Sequence, residues 1–143
     1  MSEQEPILVL KGPPGFGAEL EGEALVSQQG FNARYDMDRR RGVFSRPSHD
    51  LYPHSFVDKI LVFTTGKGGV ATSWALQDLV VKGIAPKAVI FRRANPIVCQ
   101  GAVFAGLSIM HRTDPDPCEA LMSGDWLRLK PAEGLIEVLR RKA

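Results

Sequence analysis

The chain has 143 residues and a mass of 15.7 kDa, with 44% hydrophobic and 24% charged residues, the composition of an ordinary folded domain rather than a disordered one. Eighteen Lys and Arg against 16 acids leave a net charge of +2, too weak to signal nucleic acid as a partner. Apolar runs such as 102–106 fall far short of the ~20 residues that span a bilayer, so no membrane association is expected.

The chain opens Ser2-Glu3-Gln4-Glu5 without a basic-then-apolar leader, which predicts a cytoplasmic location. Cys99 and Cys118 are isolated and lack CxxC spacing, so neither a disulfide framework nor a zinc site is expected. No metal-ligand set is predicted on this chain. One domain over 1–143 is expected, with 1–20 as an N-terminal strand and a Pro/Gly-rich lead-in.

Fourteen Gly and ten Pro cut the chain into short elements. Residues 7–10 (ILVL) form an apolar run read as a strand, stopped by Gly12-Pro13-Pro14-Gly15. A second strand is predicted at 23–27 (EALVS). Residues 28–50 carry no sustained period and read as a long loop with one hairpin near Gly42. Long irregular loops in small domains are uncommon and often functional. The Arg39-Arg40-Arg41 run within it reads as a solvated turn.

The stretch 59–63 (KILVF) predicts a buried strand running into Gly66-Lys67-Gly68-Gly69. Ala71, Trp74, Ala75 and Leu79 recur at spacings of three and four, which predicts a helix over 71–82 with Trp74 inward and Gly83 as its stop. A strand at 87–91 follows, then a helix over 96–105 with Pro96 in its first turn, then a strand at 107–110. Residues 116–122 suggest a short helix, and 125–129 and 135–139 two strands joined by a turn at 131–134. The central β-α-β-α-β order implies a parallel sheet, with the terminal strands adding antiparallel pieces or a second layer. The fold class is α/β.

The glycine turn lies between a strand end and a helix start, where free amides and permissive glycines suit a carboxylate or phosphate. Lys67 would act as a point charge. The turn is not a Walker A loop, because Gly68 rather than Ser or Thr follows the Lys, and it lacks the GxGxxG spacing. A tight turn with a solvated Lys is the bland alternative. Thr64, Thr65, Thr72 and Ser73 read more readily as helix caps than as catalytic groups. His49, His54 and His111 are too scattered for a metal set and read as separate loop or surface residues.

Several collinear stretches resemble the swivel domain, or small subunit, of aconitase X enzymes. They are 22–27 (GEALVS), His49-Asp50-Leu51-Tyr52 with Ser55, 59–63 leading into Gly66-Lys67-Gly68, Ala85-Pro86-Lys87-Ala88, Pro96-Ile97, Gly101-Ala102, Ala105-Gly106 and Gly124-Asp125. The resemblance covers about 21–138. It implies a swivelling β/β/α domain of the aconitase type that pairs with a large catalytic subunit, and is not active alone. Known members are hydro-lyases, dehydratases of cis-3-hydroxy-L-proline and of phosphomevalonate among them. The resemblance also implies that this chain binds no cofactor, and that an iron or iron–sulfur centre resides in the large subunit. Gly66, Lys67, Gly68 and Gly69 would then meet a small carboxylate- or phosphate-bearing substrate.

In the family a catalytic Ser follows GKG directly; here Gly69 stands at that position and cannot accept a proton. The nearest hydroxyls, Thr72 and Ser73, are three and four residues on, and one helical turn moves a group by about 5 Å. A misplacement of ~1 Å already costs about two orders of magnitude in rate. Arg34 replaces a glycine-rich pattern and is a candidate for holding an added carboxylate, and Ala94-Asn95 replaces an acidic pattern before Pro96. The alternative is a non-catalytic swivel-fold binding or regulatory subunit. A fainter likeness of 68–75 to a phosphohistidine loop fails at Trp74, because indole cannot carry a phosphoryl group.

Overall fold

The computed structural model describes residues 5–32, 36–66 and 70–141. In chain order its elements are β1 (Leu8–Lys11), β2 (Leu20–Val26), β3 (Met37–Asp38), β4 (Val43–Phe44), β5 (Lys59–Thr65), α1 (Val70–Val81), β6 (Ala88–Arg93), α2 (Pro96–Ala105), β7 (Ser108–His111), α3 (Pro117–Ala120), β8 (Trp126–Lys130), a 3-10 turn (Pro131–Glu133) and β9 (Leu135–Arg140).

β5 buries Leu61 and Phe63 as one alternating set and Ile60 and Val62 as the other. A strand buried on both faces belongs inside a covered sheet. β5 lies within a seven-stranded sheet of order β1-β9-β8-β2-β5-β6-β7. β2, β5, β6 and β7 pair in parallel, while β8, β9 and β1 extend the same sheet antiparallel. The terminal strands therefore add to one sheet and make no second layer. No described helix is long and apolar enough to cross a membrane.

One face of the sheet carries Leu61, Phe63, Val89, Phe91 and Ile109 against Ala75, Leu76 and Leu79 of α1 and Val98 and Ala102 of α2. The other carries Ile60, Val62, Ile90 and Met110 with Leu127, Leu129, Ile136 and Val138, closed by Cys118 and Leu121.

The aperiodic segment 28–50 contains the expected hairpin, β3 with β4, turning at Gly42 with φ +72°. It also supplies core: Phe31, Met37 and Phe44 are buried, and Phe31 stacks on Phe63 at 4.5 Å between centroids. His49, expected as a loop or surface residue, lies in a loop but is buried, 2% exposed, and stacks on Phe44. Its Nδ1 accepts from the Leu51 N–H at 3.1 Å, so Nε2 bears the proton and donates to the Gly30 carbonyl at 3.1 Å. The imidazole replaces missing backbone pairing in a segment without long strands. The Arg39–Arg41 turn is largely solvated, with Arg39 reaching Asp78 at 3.5 Å.

Trp74 is a correction: it is 64% exposed rather than inward. Apolar residues surround α1, so spacing alone leaves the rotation of the helix unset. Packing against α2 sets it, because α1 and α2 meet where Ser73 faces Gly101. A Cβ on Gly101 would lie 2.7 Å from the Ser73 Cα. Gly101→Ala must push the helices apart. Overpacking costs about 1–3 kcal/mol, offset by up to ~1 kcal/mol of helix propensity. A thermal midpoint lower by roughly 3–8 °C is expected by calorimetry; an unchanged midpoint would show that the helices separate freely.

Candidate functional site

Because β5, β6 and β7 are parallel, their C-terminal ends open on one edge of the sheet, the usual ligand position in open α/β sheets. Their register stacks side chains in rows. Leu61, Val89 and Ile109 form an apolar row; Phe63, Phe91 and His111 form the next; Thr65 and Arg93 stand level beyond it. The helix-covered face thus changes from oil to charge within two rows. A cavity of about 550 Å³ opens there, lined by Thr65, Arg93, Asn95, Cys99, His111 and Arg112, with Ala94 and Pro96.

Asn95 joins the cleft to the glycine turn. Its Oδ1 caps α2 by accepting from the Val98 N–H at 2.8 Å, and its Nδ2 donates to the Gly66 carbonyl at 2.7 Å. Gly66 cannot carry a side chain here, since a Cβ would meet Val98 Cγ2 at 2.6 Å. On the opposite side the Phe31 N–H donates to the Thr65 carbonyl at 2.8 Å. The end of β5 and Gly66 are therefore clamped between the N-cap of α2 and the segment after β2.

His111 is half-buried, and its Nδ1 accepts from the Ala94 N–H at 3.1 Å, leaving the proton on Nε2. Burial first, then the Arg112 and Arg93 charges, hold its pKa below the ordinary histidine value. Arg112 follows β7 at φ +56° and its N–H donates to the Arg92 carbonyl at 3.1 Å. Alternation turns Arg92 to the opposite face, where it pairs with Asp116 at 2.6 Å. Burial pushes the Cys99 thiol up, and the Cys118 thiol to about 11, so both stay protonated at neutral pH and are poor nucleophiles. Among the described residues no group of three His, Cys, Asp or Glu is arranged to hold a metal ion.

Of the residues singled out from sequence, Gly66 adjoins this cleft through its carbonyl's bond to Asn95. Lys67, Gly68, Gly69 and Arg34 fall outside the described residues. Thr72 lies within α1, its side chain likewise outside the description. The Ser73 hydroxyl donates to the Ile97 carbonyl at 3.0 Å and lines a groove between α1 and α2, not this cleft. Thr65 Oγ1 donates to the Gly66 carbonyl at 3.4 Å rather than capping α1.

Sequence reasoning passed over Arg93 and Arg112 and treated His111 as an isolated histidine. Counting strand parity two residues past Phe91 would have found Arg93. Nothing local announces that His111 ends the neighbouring strand and Arg112 follows it.

The sequence pattern described as the aconitase X swivel domain matches residues 9–138. The chain is 36% identical over 129 residues to a phosphomevalonate dehydratase small subunit of Thermococcus onnurineus, covering 90% of this chain and 97% of that one. A protein of the same name from Pyrococcus horikoshii is 35% identical over 130 residues, covering 91% and 95%. The crystal structure of Thermococcus kodakaraensis aconitase X superposes with a TM-score of 0.87 at 30% identity, covering 93% of this chain and 99% of that one. Collinear motifs, one mixed sheet with its helices and agreement over nearly the full length lead to one assignment: the chain belongs to the aconitase X swivel domain family.

Proposed function

We propose that this chain is the small subunit of an aconitase X-type hydro-lyase that dehydrates a small hydroxy acid bearing a carboxylate or phosphate. It would close over a larger catalytic subunit, so that the turn 66–69 and the cleft at the ends of β5–β7 face a shared active site. One observation carries this reading. Among the described residues, a cationic cleft with no acid in its lining adjoins Gly66 in a chain 36% identical to a dehydratase small subunit.

Dehydration removes a proton from the carbon beside the carboxylate and expels hydroxide from the next carbon, forming a double bond and water. An iron or iron–sulfur centre in the larger subunit would supply Lewis-acid assistance to the departing hydroxyl. This chain's own part is binding. Lys67 and the glycines that follow Gly66 would hold an anion, and Asn95 fixes the Gly66 carbonyl. Gly69 has no hydroxyl, so the proton acceptor is assigned to the partner; the same residue favours a regulatory subunit as the second reading.

Coexpression with a larger aconitase X-type subunit from the same genome is expected to yield a stoichiometric complex containing iron, with dehydration requiring both chains. A large chain fully active alone would sink the reading, and a complex whose activity ignores this chain would favour the regulatory one. Lys67→Ala is expected to weaken substrate binding by about 1–3 kcal/mol, the scale of a charged hydrogen bond. An unchanged KM would remove Lys67 from the site. Gly69→Ser is expected to assemble normally and change turnover by less than about tenfold, the scale of 1.4 kcal/mol; a larger rise would assign the proton acceptor to position 69.

A further inference from the structure

Beside the Ser73–Gly101 contact a groove of about 530 Å³ runs between α1 and α2. Ser73, Trp74 and Gln77 of α1 line it, with Ile97, Gln100 and Phe104 of α2. None of the six is charged, in a chain where 24% of residues are. Trp74 is 64% exposed and Phe104 67%. With Ile97 they leave on the order of 300 Å² of apolar surface in water, the scale of a monomer's largest patch. The core beneath is complete without them, since Ala75, Leu76, Leu79, Val98 and Ala102 already fill it. An aromatic pair that the fold does not need is available for a partner.

The shape and chemistry of the groove select among occupants. Ligand pockets cover about 70–90% of a small molecule, whereas the walls here are themselves two-thirds in water. A charge-free, aromatic-rich lining is instead the composition of the centre of a protein interface. A second copy seated there would crowd two cationic clefts, with no acid in their described linings, around one contact, and like charges oppose that.

α2 is the partition between groove and cleft. Its Pro96 and Cys99 line the cleft, while Ile97, Gln100 and Phe104 line the groove. A helix is only about 10 Å across, so a body large enough to close the cleft reaches the groove as well. The two are also rigidly joined. The Ser73 hydroxyl donates to the Ile97 carbonyl at 3.0 Å, and Asn95 caps the same helix while holding Gly66.

We infer that the groove between α1 and α2, anchored by Trp74 and Phe104, docks an uncharged apolar segment of the larger subunit. The identity of the occupant rests on the small-subunit reading above; the groove itself rests on this chain alone.

The test is calorimetric titration of the purified larger aconitase X-type subunit from the same genome with the full chain. Trp74→Glu and Phe104→Ser, on different helices and at exposed positions, should each raise Kd about thirtyfold or more, the hot-spot scale. Their thermal midpoints should stay native. Val81→Glu, at an 85% exposed apolar position outside the groove, should leave Kd within threefold. At saturating variant chain the dehydration kcat should return to its native value, because docking residues touch no substrate.

Native affinity in both groove variants would overturn the docking site while leaving the dehydratase reading intact. A kcat that stays low at saturation would overturn the docking role equally. So would a dimer of the native chain, seen by sedimentation, that Trp74→Glu dissolves without weakening the larger subunit's binding. A complex held through the groove that dehydrates no hydroxy acid would uphold the docking site while the dehydratase reading falls. Failure of the native chain to bind the larger subunit would overturn both.

Discussion

Parallel pairing of β5, β6 and β7 in a single register is the constraint from which the site follows. Because Phe63, Phe91 and His111 share one row and Thr65 and Arg93 stand level beyond it, the sheet's last buried layer is also the floor of the cleft. A slip of one residue would exchange the faces, sending Arg93 into the second core and Arg92 to the cleft. Burial of Phe63 and Phe91 on one side and Val62 and Ile90 on the other opposes that slip. Core packing and ligand geometry are one problem here.

Close approach is the second theme, and it explains where glycine is indispensable. Gly101 lets α1 and α2 touch, and Gly66 lets the end of β5 lie against Val98 of α2. Asn95 then serves two backbones at once, capping α2 and holding the Gly66 carbonyl. The position of Gly66 is thereby tied to helix packing. The segment after β2 closes the other side: Phe31 pairs with the end of β5, and the buried His49 bridges Gly30 and Leu51. The motif His49-Asp50-Leu51, which resembles the family pattern, is an architectural device: Asp50 accepts from the Ser27 hydroxyl at 2.6 Å and the Gln28 N–H at 2.8 Å.

Electrostatically the two faces of β6 differ sharply. On one, Arg92 and Asp116 cancel at 2.6 Å; on the other, Arg93 joins Arg112 and His111 with no described acid. A chain with a net charge of only +2 has therefore concentrated positive charge at one cleft. Composition averages over such a pattern, which explains why overall charge was uninformative about ligands.

The sequence by itself determined the element order, the parallel βαβαβ core and the Pro96-initiated helix. Each depends on local periodicity or on the backbone preferences of Gly and Pro, and these act within a few residues. Collinear motifs added the family. Tertiary structure alone decided that the terminal strands share the central sheet, that Trp74 faces out and His49 in, and that Arg93, His111 and Arg112 meet at one cleft. These outcomes depend on strand register and on helix rotation against Gly101, which arise between segments far apart in the chain. No local pattern encodes a register, because alternation with period two fits either slip until a second strand is laid beside it.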